Sequence, residues 1–246
     1  MATARPYLYM FQETPDDCIH LGGVDFQEFA RVFMPATLVC LRHGHTTGKV
    51  HTETGLSTVL SQEYPALCPD DSGNLDVLDA ESTEALDRLT PQDVAEMLYL
   101  SHLKRPIRSP FLDNLNNRFA FLSHDDGWYC KVYFKDPKVF FGAVPHLIEN
   151  KLQDLGVQCG SDDSKSDCGR FQRLSSEGLH FDLTAVRRSG EGRVEIPVFV
   201  FGKMHAPYST SNGFGMDDLM NDQAHFTEKA RLMKCHNEAG RWFLSV

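Results

Sequence analysis

The stretch that decides the fold runs Arg118-Phe-Ala-Phe-Leu122, Ser123-His-Asp-Asp-Gly127, Trp128-Tyr-Cys-Lys-Val-Tyr-Phe-Lys135. Two runs rich in aromatic and β-branched residues flank five turn formers, the signature of a β-hairpin. In the second arm Trp128, Cys130, Val132 and Phe134 alternate with Tyr129, Lys131, Tyr133 and Lys135. A period of two places the first set on one face of a strand.

The same pattern recurs twice toward the C-terminus. His180–Arg187 and Arg193–Phe201 flank Ser-Gly-Glu-Gly, and Leu232–His236 and Arg241–Val246 flank Asn-Glu-Ala-Gly. Consecutive hairpins predict an α+β protein with an antiparallel sheet in the C-terminal half. Helices, mainly from the N-terminal half, are expected on one face. Asp25–Phe33 repeats Phe26, Phe29, Ala30 and Phe33 at helical spacing. Pro91–Lys104 follows the N-cap candidate Thr90, with Pro91 and Asp93 in the first turn. A further helix starts at Asp136 and Pro137, bends at Pro145 and closes at Gly156. Tyr7–Gln12 and Ala36–Leu41 read as strands, and Gly160–Gly169 and Ser209–Gly215 as polar loops. The expectation is one domain over residues 1–246, with a soft boundary near 107–117.

The chain has 246 residues and a net charge of −10, from 34 acidic and 24 basic side chains. Between Glu63 and Glu96 lie ten carboxylates and one basic residue, Arg88. Such a stretch repels phosphate backbones and anionic membranes, so neither nucleic acid nor a membrane is expected as partner. It reads as a solvated acidic surface, and the short basic cluster Lys104, Arg105 and Arg108 makes no nucleic-acid stripe. Seven scattered cysteines form no disulfide framework. With no apolar segment of signal or membrane-spanning length, the expected compartment is the cytoplasm.

The segment that most invites chemistry is Leu38-Val-Cys-Leu-Arg-His-Gly-His-Thr46. An apolar strand delivering Arg-His-Gly-x-Thr resembles the opening motif of the histidine phosphatase (phosphoglycerate mutase-like) superfamily. That resemblance implies His43 as a phosphorylated nucleophile and Arg42 as a phosphate ligand. It further implies Arg88, within Ala85-Leu-Asp-Arg88-Leu-Thr90, as the second arginine. His124, ending Phe121-Leu-Ser-His124, would be the second histidine.

The same residues support a metal reading. His43 and His45 point to one face if the segment is extended, and His51 and Glu53 follow, giving a His/carboxylate set for a divalent metal. His-x-His with a later glutamate is slightly similar to a cupin barrel. Gly44-His-Thr-Thr-Gly48-Lys49 has three residues between its glycines where a phosphate loop needs four, so it is set aside. Asp70–Glu81 imitates a calcium loop but carries Leu75 where the sharp turn needs glycine. Cys159 and Cys168, taken with His180, match no closed zinc spacing, and the cysteines read as ordinary reduced thiols.

A bland account of the segment also stands: Ala36–Leu41 is an interior strand, and Arg42 and His43 begin a loop of solvated histidines. With no complete catalytic set visible, the leading expectation is a non-catalytic domain that binds a small ligand or a protein. No cofactor is required. The alternative is a hydrolase built on Arg42-His43-Gly44-His45, working through a phosphohistidine or a bound metal.

Overall fold

The computed structural model describes residues 5–13, 17–33, 35, 37–41, 49–50, 55–60, 63, 75–124, 129–159, 167–188, 193–202, 228, 230–238 and 240–246. It is α+β with antiparallel strand pairing throughout, as the hairpin pattern predicts. Its contacts divide the chain into two compact units, Met1–Val24 with Lys138–Val246, and Asp25–Pro137. Residues 107–117 fall inside the second of these.

The second unit contains the opening hairpin. The strands of this unit are β3 (Thr37–Cys40), β4 (Lys49–Val50), β5 (Ser57–Leu60), β6 (Asp76–Ala80), β7 (Phe119–His124) and β8 (Tyr129–Phe134). They are ordered β8-β7-β6-β3-β5-β4. Phe119 pairs with Phe134 and His124 with Tyr129, so the two predicted arms pair antiparallel, Ser123 and His124 belonging to the first strand. Every residue of β8 is buried, including Lys131. The apolar alternation therefore marks two covered faces rather than one dry and one wet.

Helices account for both covers. On α1 (Phe26–Phe33), Phe29 packs against Phe119, Phe121 and Phe134, which share one face of the sheet. Helix α2 (Pro91–Leu103) serves the opposite face, where the Tyr133 hydroxyl donates to the Lys104 carbonyl at 3.1 Å. Thr90 caps α2 as expected: its hydroxyl accepts from the Asp93 amide at 3.1 Å, and the Asp93 carboxylate accepts from the Thr90 amide at 2.8 Å.

The acidic stretch is not wholly a solvated surface. Asp76, Asp79 and Glu96 are buried, each engaged by a cation from later in the chain. Lys104 Nζ lies 2.5 Å from Asp76 Oδ2, and the same oxygen accepts from Ser101 Oγ at 2.8 Å. Asp79 accepts from the amides of Arg118 and Phe119, at 2.7 and 2.9 Å, and from Arg118 Nε at 2.7 Å. Glu96 pairs with Arg108. Two members of the short basic cluster thus serve as internal counter-ions for carboxylates that would otherwise be stranded without water.

In the first unit the strand order is β13-β12-β11-β9-β1-β2, with β10 alongside β11. These strands are β1 (Tyr7–Glu13), β2 (Cys18–Gly22), β9 (Leu179–Asp182), β10 (Arg187–Arg188), β11 (Val194–Val200), β12 (Arg231–Glu238) and β13 (Arg241–Ser245). Both C-terminal hairpins are present, β12 pairing with β13 and β11 with β9 and β10. Helix α3 (Pro137–Asp154) carries Pro145 in its interior and buries Phe140, Phe141, Val144, Leu147, Ile148 and Leu152 along one stripe. Helix α4 (Cys168–Ser175) begins inside the segment read as loop; Asp167 caps it by accepting from the Arg170 amide at 3.2 Å.

Strand β2 has no counterpart in the pattern analysis, because Cys-Ile-His-Leu-Gly is buried at every position and shows no alternation. At Gly23, just beyond it, φ is +77° and a Cβ would lie 2.3 Å from the Tyr7 carbonyl oxygen, so only glycine fits. No helix among the described residues is long and apolar enough to cross a membrane.

Candidate metal centre

Strands β1 and β2 form a hairpin whose register sets Glu13 opposite Cys18 and Phe11 opposite His20. Side chains two apart on a strand share a face, and so do directly opposed residues. Glu13, Cys18 and His20 are thereby brought together on one face at the closed end of the hairpin. Asp17 enters β2 with φ +47°, a left-handed conformation that aspartate tolerates.

The three side chains form a tight cluster, with one ligand atom from each lying within 4.8 Å of the others. His20 Nε2 lies 2.9 Å from Glu13 Oε2, and Cys18 Sγ donates to the same oxygen at 3.6 Å. All three are buried: Glu13 is 6% exposed, Cys18 0% and His20 2%. Metal bonds of about 2.0–2.3 Å in a tetrahedral site place ligand atoms ~3.5 Å apart. The Glu13–His20 separation is shorter than that value and the Glu13–Cys18 separation close to it, so the cluster could hold a metal ion. One nitrogen, one sulfur and one oxygen donor suit a borderline-soft ion such as Zn²⁺ better than Mg²⁺ or Ca²⁺.

Of the residues anticipated from the sequence, Arg42, His43, His45, His51 and Glu53 lie outside the described residues. Arg88 and His124 are placed, both in the second unit. Arg88, half exposed, pairs with Glu81 and donates to the Asn114 carbonyl from Nε at 3.3 Å and Nη2 at 3.2 Å. The His124 ring stacks on Tyr129 at 4.6 Å, as the last paired residue of β7.

Sequence reasoning missed Glu13, Cys18 and His20, although a usable signal was present. Cys18-x-His20 has the same i, i+2 spacing that drew attention to His43-x-His45. Glu13 precedes it across Pro15, Asp16 and Asp17, a turn-forming run.

His180, considered from the sequence only as a zinc partner for two cysteines, is a packed imidazole. It sits on the interior strand β9, stacked on Tyr7 at 5.5 Å and close to Phe199 and Phe201. Its Nδ1 meets no hydrogen-bond partner among the described residues. Burial holds its pKa down to about 4, against an opposing pull from Asp182. Because the folded value lies below the ordinary 6.5, the unfolded chain binds the extra proton between the two. This contribution is therefore complete above about pH 6.5 and is lost as pH falls toward 4, roughly 3 kcal/mol in all. Urea titrations across that window should show His180→Phe losing about one proton of pH dependence; an unchanged slope would refute this environment.

No protein-family model matches the chain, and no curated protein or solved structure is detectably similar to it.

Proposed function

We propose that this protein is a non-catalytic binder of a zinc-class divalent cation, held by Glu13, Cys18 and His20 at the closed end of the β1–β2 hairpin. The observation that carries the reading is the convergence of three different ligand types within 4.8 Å on one face of a hairpin. Catalytic metal sites keep one position open to substrate. Three protein donors leave a fourth position for water, and the burial of all three favours a cation that fastens the hairpin over one that turns over substrate. Cys159 and Cys235 are free thiols, which supports a reducing compartment such as the cytoplasm.

The reading is tested by equilibrium dialysis against zinc in a weakly competing buffer. Wild type should take up one ion per chain, while Cys18→Ser and Glu13→Gln, which nearly preserve shape, should lose it. Zinc at about a hundredfold its dissociation constant should stabilise the wild-type fold by about 2.7 kcal/mol and leave folded Cys18→Ser unmoved. Uptake should rise with pH, because thiol and imidazole must shed protons to bind. Wild type that binds no zinc, or variants that bind it equally well, would overturn the proposal.

A further inference from the structure

Within the second unit, helix α2 buries Glu96, Met97 and Leu100 along one side. The side turned away from them carries Gln92, Ala95, Tyr99 and Leu103, all exposed. Their spacing of three and four residues sets them on one stripe. Tyr99 is 40% exposed and Leu103 47%, and Ile107, just beyond the helix, is 55% exposed. Single apolar side chains at a surface need no explanation, but here two stand one turn apart and a third follows them.

The charges along this stripe are sorted by position. From Glu84 to Glu96 the chain carries Glu84, Asp87, Asp93 and Glu96 against Arg88 alone. From Met97 to Arg108 it carries Lys104, Arg105 and Arg108 and no carboxylate. Lys104 is spent on the buried Asp76, and Glu96 is buried beneath Arg108. Glu84 and Asp87 at one end, and Arg105 and Arg108 at the other, are exposed.

A stripe that is apolar in the middle, acidic at one end and basic at the other is complementary to itself turned end for end. From this polarity we infer that a second copy of this chain covers the stripe, the two α2 helices packing antiparallel about a two-fold axis at Tyr99. Residues equally far from the axis then meet. Ala95 of each copy lies against Leu103 of the other, small against large, and each acidic end approaches a basic one. A parallel arrangement would set acid against acid, and a partner of uniform charge would suit only one end. One helix stripe per copy gives a small interface, under about 1,200 Å², so the dimer is weak, with a Kd of about 10–100 µM.

Sedimentation equilibrium on the whole chain across that range tests this. The mass should rise from monomer to dimer with concentration, and added salt should weaken the association by screening the complementary ends. Tyr99→Glu and Tyr99→Lys each place like charges together on the axis and should associate about tenfold more weakly. An equal mixture of the two should recover association, because opposite charges then meet. Circular dichroism checks that both variants, changed at an exposed position, keep the wild-type fold. Leu232→Glu, at a side chain 55% exposed on β12, should leave the dimer unchanged. A monomer throughout, a dimer that salt strengthens, a dimer indifferent to Tyr99→Glu, or a mixture that stays monomeric would each overturn the inference.

Discussion

Asp76→Ala should destabilise the protein by about 3–5 kcal/mol, read as a fall in the urea midpoint at pH 7. Asp76 is fully buried and joins three elements. One carboxylate oxygen takes the Lys104 ammonium and the Ser101 hydroxyl, and the other accepts the Ser123 amide at 3.0 Å. Removing the carboxylate leaves an ammonium that is itself buried, and the cost of an uncompensated charge dominates the loss. Replacing both charges, as in Asp76→Leu with Lys104→Met, should restore most of the stability, since a buried ion pair contributes little net stability over a packed apolar pair. A single-variant loss below about 1 kcal/mol would show that the pair is not buried as described.

Phe29→Ala should cost a comparable amount, about 3–5 kcal/mol. Its ring lies 4.4–6.1 Å from those of Phe26, Phe33, Phe119, Phe121 and Phe134, so one side chain fastens α1 to two strands. Truncation forfeits the transfer energy of the ring and opens a cavity among rigid aromatics that cannot collapse to fill it. Phe29→Leu keeps much of the volume and should lose less than half as much. Equal losses in the two variants would indicate that ring packing is not what holds the helix.

Both predictions rest on residues whose roles differ in how far the sequence displays them. Phe29 was legible, because Phe26, Phe29 and Phe33 repeat at the period of a helix. So were the three hairpins, where turn residues separate alternating arms, and the capped start of α2 at Thr90. Asp76 was not. In a run of ten carboxylates it looks like its solvated neighbours, and nothing local identifies Lys104, 28 residues on, as its partner. Strand β6 was hidden for the same reason, its two aspartates giving a central strand the composition of a loop. Burial of a charge is set by tertiary pairing, which composition does not encode.

The candidate site follows the same logic. Cys18 and His20 are two apart and readable as a pair, but Glu13 joins them only through the register of the β1–β2 hairpin. A shift of one residue would send Glu13 to the other face. The histidines of the Arg42-His43-Gly44-His45 segment drew attention through a short motif and the i, i+2 spacing of His43 and His45, and they lie outside the described residues. Arg88 and His124, chosen to complete that set, turn out to be engaged locally, one with Glu81 and the Asn114 carbonyl, the other with the ring of Tyr129.

The most direct test of the central claim is the absorption spectrum of the protein titrated with Co²⁺, which takes zinc sites and reports its ligands. Bound at Glu13, Cys18 and His20, cobalt should give a thiolate-to-metal charge-transfer band in the near ultraviolet that saturates at one ion per chain. The band should be absent in Cys18→Ser, and the visible bands should be altered in His20→Gln. A wild-type spectrum without the thiolate band, or one that persists in Cys18→Ser, would contradict the account.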